Sequence, residues 1–233
     1  MIIAAHQPEY LPYIGFFYKM MNCEKFVLVD HVQYIKKRFQ NRNRIKTATG
    51  GVFLTVHVLT KGKFDQPLSD VQINNNENWQ KKHWRSIVLN YQKTEYFDEY
   101  KKFFEEIYSK KWEKLAHLNE TIIRYLANQL GINIEIIKSS DFKPTGNKTD
   151  MLIDMCKKLK ADTYLSGEGG RSYVDIEKFE TNNLTHLYTN FKHPTYNQQF
   201  EPFIPNMSVI DLMFNHGSKT SREIIQKSGK IGK

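Results

Sequence analysis

Short apolar runs that each end in a polar cluster, separated by stretches of helical spacing, constrain this chain more than any other feature. Met1 to Ala5 reads as a strand, followed by a proline-punctuated loop to Pro12 and a helix over about Ile14 to Met21. Lys25 to Val29 (KFVLV) is a second run suited to a buried strand, and it stops at Asp30. A crossover through the intervening helix makes the two runs adjacent and parallel. Asn133 to Lys138 and Thr163 to Leu165 repeat the pattern later, with a helix over about Lys148 to Leu159 between them. The alternation predicts an α/β fold built on an open, mostly parallel sheet with flanking helices.

Between these ends, Val52 to Leu59 is a further strand and Val71 to Ile73 a weaker one, together an antiparallel insert or a sheet edge. Helical spacing then dominates a section at about 79–130: Trp84, Ile87, Val88 and Tyr91 recur three and four apart, as do Leu118, Ile122, Tyr125, Leu126 and Leu130, and Gly131 is a stop. No repeat or low-complexity tract divides the chain, so residues 1–233 are expected to form one α/β domain with a loose Lys-rich tail.

Cys23 and Cys156 have neither CxxC nor metal-ligand spacing, which predicts no disulfide and no metal site and fits a reducing, cytoplasmic setting. No run approaches the ~18 apolar residues of a membrane span. His6, Gln7, Glu9 and two prolines interrupt the first twenty residues, so no signal peptide is expected. The net charge of +9 favours an anionic partner, whether phosphorylated metabolite, nucleic acid or lipid headgroup. Many of the lysines, such as Lys101-Lys102, also suit a solvated helix face. Oligomeric state is not encoded in any motif.

In an open α/β sheet ligands gather at the carboxyl ends of strands, and three polar clusters fall there. His6-Gln7 follows the first strand, Asp30-His31-Val32-Gln33 the second, and Ser166-Gly167-Glu168-Gly169-Gly170 a later one. Neighbouring strands would bring His6, Asp30 and Ser166 to one crevice. His6 has the ordinary basicity for acid–base work or for donating to a phosphate, although a lone histidine also serves as a structural hydrogen-bond partner. Pro8 and Pro12 stiffen its loop around Tyr10. Gln40-Asn41-Arg42-Asn43-Arg44 reads as a polar loop whose Asn41, Arg42 and Asn43 suit carboxylate, phosphate or sugar hydroxyls, with a plain asparagine turn as the alternative. Arg42 is expected in one pocket with His6 and Asp30. The Ser166–Gly170 turn offers amides to an anion but lacks GxxxxGK[ST], GxGxxG and GxSxG, so Ser166 is not read as a nucleophile. Lys82 and His83 lie on a helix as candidate phosphate partners. Tyr188 to Phe203, with His193, Tyr196 and Gln198, forms either a stacking wall or core packing.

The run His6-Gln7-Pro8, Tyr10-Leu11-Pro12, Gly15, Phe26-Val27-Leu28, Asp30, Val32-Gln33-Tyr34 and Gln40-Asn41-Arg42-Asn43 resembles the start of WbqC-like proteins. The likeness continues through Lys82-His83, Ile87, Tyr91, Lys148-Thr149, Tyr164-Leu165-Ser166-Gly167, Tyr173, His193-Pro194, Tyr196, Gln198, Ser208, Asp211, Phe214-Asn215 and Gly217, nearly the whole chain. It departs at Val56-His57-Val58, where the family more often has Val-Pro-Val. That family is found largely in bacterial surface-polysaccharide and O-antigen clusters. The resemblance implies acyl or aminoacyl transfer, glycine among the candidates, to a nucleotide-linked amino sugar.

The early pattern is also similar to HxGH nucleotidyltransferases and pantothenate synthetases, which bind ATP against a comparable loop, but Glu9 and Tyr10 stand where their second histidine would. Ser218-Lys219-Thr220-Ser221 is weakly similar to the later phosphate motif of that group. The resulting expectation is a transferase or ATP-dependent amide-forming ligase with His6, Asp30, Arg42 and Lys82 as catalytic residues. Gln7, Tyr10, Gln33, Asn41, Asn43, His83, Ser166, Gly167, Tyr173, His193, Tyr196 and Gln198 would bind an anionic or nucleotide-sugar substrate. A non-catalytic sugar or nucleotide-sugar binding protein is the competing reading. A sequence-specific nucleic-acid binder lacks any motif.

Overall fold

The structure, a computed structural model, describes residues 1–233. Strand β1 (Ile2–His6) leads through α1 (Ile14–Met21) to β2 (Lys25–Leu28), and the two strands pair in parallel with Ala4 opposite Phe26. A hairpin, β3 (Arg42–Thr47) and β4 (Gly50–Thr55), is followed by three helices, α2 (Trp79–Tyr91), α3 (Phe97–Ser109) and α4 (Leu115–Gln129). Next come β5 (Glu135–Lys138), the short α5 (Ser139–Phe142), α6 (Thr149–Leu159), β6 (Thr163–Ser166), α7 (Ile176–Thr181) and β7 (Thr185–Phe191). The chain ends with α8 (Val209–Gln226) and β8 (Gly229–Gly232).

The main sheet runs β5-β2-β1-β6-β7-β8, parallel except for β8. The near-continuous apolar strands are explained by alternation: Ala4, Phe26, Leu28 and Leu165 face the larger core, with α1, α8 and the middle helices. Ile3, Ala5, Val27, Val29 and Tyr164 face a smaller one closed by α6 and α7. Cys23 and Cys156 belong to these opposite cores and are free thiols.

Three expectations need correction. The Gln40–Arg44 segment is not a loop, because from Arg42 it enters β3, where Asn43 and Ile45 turn inward against the core. The strand expected over Val52 to Leu59 lies at Gly50–Thr55, and Val71 to Ile73 makes only isolated bridges. The Lys-rich end is not loose: β8 pairs antiparallel with β7 because Gly229 lets the backbones close, its missing Cβ leaving room for the Asn190 carbonyl.

Ser218-Lys219-Thr220-Ser221 lies on α8 just past a break at Gly217 (φ 69°, ψ 172°). A Cβ at Gly217 would meet the Tyr96 ring at 2.7 Å. Gly217→Ala is therefore expected to cost about 2 kcal/mol, from backbone strain plus the clash. Urea unfolding would measure this, and an unchanged midpoint would show that the break relaxes freely.

Candidate functional site

From β1 the chain order runs to one side through β2 and β5, then crosses back to place β6 against the other edge of β1. The loops after β1 and β6 diverge from that switch point, and a crevice of about 660 Å³ opens there. Its wall includes His6, Gln7, Tyr13 and Lys19 from the β1–α1 unit, the Ser166–Gly170 turn, Tyr173, and His193 and Asn206 from the segment after β7.

The loop carrying His6 is held carbonyl by carbonyl. Prolines cannot donate, so side-chain amides supply the hydrogen bonds. Asn119 Nδ2 donates to the Pro8 carbonyl at 3.0 Å, Asn43 Nδ2 to the Leu11 carbonyl at 2.7 Å, and Gln40 Nε2 to Gln7 Oε1 at 2.7 Å. Val209 N–H donates to the Pro12 carbonyl at 2.8 Å. Gly15, in the first turn of α1, leaves space for the Tyr13 ring, whose Cε2 a Cβ would meet at 2.5 Å.

The His6 Nδ1–H donates to the Gln7 carbonyl at 3.0 Å, which leaves Nε2 as a lone-pair acceptor without a protein partner. Burial and the neighbouring Lys19 cation push His6 down to about 3, so the ring is neutral in the free site. This corrects the expectation of near-neutral basicity, because desolvation dominates. Lys19 is 5% exposed and donates from Nζ to the Ala5 carbonyl at 2.8 Å. Burial lowers its ammonium and raises the carboxyl of the adjacent buried Glu9. His193 is fixed as the Nδ1–H tautomer: it donates to the Pro194 carbonyl at 2.8 Å and accepts the Asn206 N–H at Nε2 at 3.0 Å. At the crevice floor Ser166 Oγ meets His186 Nε2 at 2.8 Å.

Six of the sequence-derived site residues thus meet at the crevice: His6, Gln7, Ser166, Gly167, Tyr173 and His193. The others lie elsewhere. Asp30 accepts from Ser139 Oγ (3.0 Å), Ser140 N–H (2.9 Å) and Ser140 Oγ (2.8 Å), so both its oxygens are engaged in holding the start of α5. Arg42 points along the outer face of the hairpin, with its guanidinium 4.5 Å from the Phe53 ring centre, and does not join His6. Lys82 is exposed on α2, while His83 is buried one position on and meets Tyr10 Oη at 2.9 Å. Gln33 donates to the Phe64 carbonyl at 3.0 Å, and Asn41 to the Val56 carbonyl at 2.8 Å. Tyr196 and Gln198 donate to the buried Asp211 at 2.9 and 2.8 Å.

The sequence reading missed Lys19, which looks like one more helix-surface lysine. A signal was present: α1 reads IGFFYKMM, apolar all round, and a lysine in such a helix is forced inward to a hydrogen-bond partner. Asn119 carried no comparable signal, since its role depends on α4 crossing the Pro8 loop.

The sequence pattern of the WbqC-like protein family matches residues 7–223. A Mycobacterium tuberculosis protein named "Uncharacterized protein Rv1507c" is 32% identical over 219 residues, which cover 93% of this chain and 94% of that one. No solved structure matches the chain.

Proposed function

The chain belongs to the WbqC-like protein family, and on that premise we propose that it transfers an acyl or aminoacyl group, glycine being one candidate, to a nucleotide-linked amino sugar used in bacterial surface polysaccharide. The observation that carries this reading is the crevice at the strand switch point, with a neutral histidine presenting a free Nε2 beside a buried lysine. Crevices at this position suit nucleotides and their conjugates. In the proposed step the sugar amine attacks the acyl carbonyl, its proton passes to His6 Nε2, and the activating group leaves with the bonding electrons. ATP is the proposed activator of the donor carboxylate. Lys19 and the amides of the Ser166–Gly170 turn would face the developing negative charge. An anion bound there would also make His6 more basic than in the free site.

The test is to titrate the purified protein with ATP and a panel of nucleotide-linked amino sugars, then follow reaction mixtures by mass spectrometry. Saturable binding with formation of an acylated sugar is expected. His6→Ala is expected to lower turnover by about 10²-fold, the low end for a positioned acid–base group because the ring begins weakly basic, and to lower turnover far more than thermal stability. If nucleotide sugars bind saturably while no donor, acceptor or nucleotide is consumed across the panel, the protein is a binding protein and the transferase reading is wrong.

A further inference from the structure

The net charge is localised. Residues 31–67 hold eight of the 34 Lys and Arg residues and one of the 25 acidic residues, leaving 26 and 24 for the other 196 positions. Within this segment only Lys46 is a buried cation; Lys36, Lys37, Arg38, Lys61 and Lys63 are exposed, and Arg42 and Arg44 half-buried. None of them takes part in an ion pair, all of which lie elsewhere in the molecule. The same segment supplies six of the nine exposed large hydrophobic residues: Ile35, Phe39, Val52, Phe53, Leu59 and Phe64, the last 76% exposed.

The hydrogen bonds join most of these residues into one connected region, with Val52, opposite the inward-turned Ile45, on the hairpin's other side. Tyr34 N–H donates to the Gln66 carbonyl at 3.0 Å and Leu68 N–H to the Val32 carbonyl at 2.9 Å, tying the loop after β2 to the loop before residue 68. The Arg42 guanidinium donates to the Lys37 carbonyl, tying the same loop to the hairpin. On the hairpin's outer face Arg44 lies opposite Phe53, and the guanidiniums of Arg42 and Arg44 lie 4.5 and 5.9 Å from that ring centre.

Uncompensated cations interspersed with protruding apolar side chains match a surface with anionic headgroups above hydrocarbon. A single-stranded nucleic acid would need free ring faces for stacking. Here Phe53 is already covered by guanidinium and Ile35 and Leu59 offer no ring, which leaves only Phe39 and Phe64 with free ring faces among the exposed apolar side chains of this face. We propose that the face built by residues 31–67 binds the surface of an anionic lipid bilayer. The face adjoins the crevice, since Val32 lines it and Gln40 holds Gln7, so docking would set the crevice mouth close to the membrane. This placement is independent of the reaction carried out in the crevice.

The full-length protein should co-sediment with vesicles of phosphatidylcholine plus phosphatidylglycerol at physiological salt, and far less with phosphatidylcholine alone. Each lysine near an anionic surface contributes roughly fivefold in affinity, so Lys36→Glu with Lys37→Glu should weaken binding at least ~25-fold. Phe39→Ser with Phe64→Ser should weaken it about tenfold by removing the inserted side chains. These positions are exposed, and matching thermal midpoints would verify that the variants fold. Equal binding to both vesicle types, no binding to either, or phenylalanine variants that bind like the parent would overturn the proposal. So would a single-stranded oligonucleotide whose binding depends on the same phenylalanines and which strips the protein from vesicles.

Discussion

Asp211→Ala should lower the free energy of unfolding by about 3–5 kcal/mol, because it leaves several buried donors without their acceptor. Asp211 is fully buried in α8 and accepts from Tyr91 Oη at 2.8 Å, Tyr196 Oη at 2.9 Å and Gln198 Nε2 at 2.8 Å. Burial raises its carboxyl above the usual range, while those donors and nearby Lys46 pull the other way. Gln198 in turn accepts from Lys46 Nζ at 3.1 Å and from Ile204 N–H at 2.9 Å, and Lys46 also donates to the Pro202 carbonyl. The carboxylate therefore anchors the irregular segment between β7 and α8, which carries His193 and Asn206 into the crevice wall. Asp211→Asn keeps the shape and one acceptor, so it should cost less. Urea unfolding with limited proteolysis of residues 193–207 measures both effects. Equal stability of Asp211→Ala and the parent would mean that the segment is held by other contacts.

A second large effect is expected on acidification. His83 and His186 are both buried, and burial is the main cause that lowers them to about 3 and about 4. His83 sits between Tyr10 Oη at 2.9 Å and the backbone of Thr55, and Tyr10 Oη meets Tyr108 Oη at 2.6 Å, an arrangement suited to a neutral ring. A histidine whose folded pKa lies below its unfolded value contributes stability that is fully present above about 6.5 and is lost as pH falls toward the folded value. By pH ~4 each of the two rings would have forfeited about 3 kcal/mol. Glu9, raised to about 8, and the raised Asp211 act in the opposite sense, since the folded state holds their protons more tightly, and Glu9 offsets about one ring's share; His6, lowered to about 3, adds a further ring's loss. The net result is a fall of several kcal/mol between neutral pH and pH ~4, large against a typical stability of ~5–15 kcal/mol. Denaturant midpoints across that range would check it. His83→Asn, which keeps an acceptor for Tyr10 without the titrating ring, should flatten the curve, and a parent profile already flat to pH ~4 would rule the effect out.

Asn41, Arg42 and Asn43 show why polar density alone misled the reading of the site. Donors and acceptors at those positions are equally suited to a ligand and to buried backbone carbonyls. The choice between them depends on which acceptors of the neighbouring loop lack a donor of their own. Around Pro8 and Pro12, which supply no N–H, the Leu11 carbonyl takes Asn43 and the Gln7 side chain takes Gln40, while Arg42, one residue from Asn43 on a strand, faces the other way. Asp30 follows a strand end as expected, but the serines that open α5 engage both its oxygens.

The sequence by itself determined the alternation of apolar strands and helices, hence the parallel sheet, and the placement of His6 and Ser166 at strand ends. These follow from periodicities of two and 3.6 residues, which are local properties of the chain. Tertiary structure alone decided that β6 returns to the free edge of β1, which opens the crevice between His6 and Ser166 and leaves Asp30 outside it. It also decided that Lys19 is buried and that the His6 ring is neutral, because desolvation depends on which distant segments close over a side chain, and no spacing along the chain encodes that.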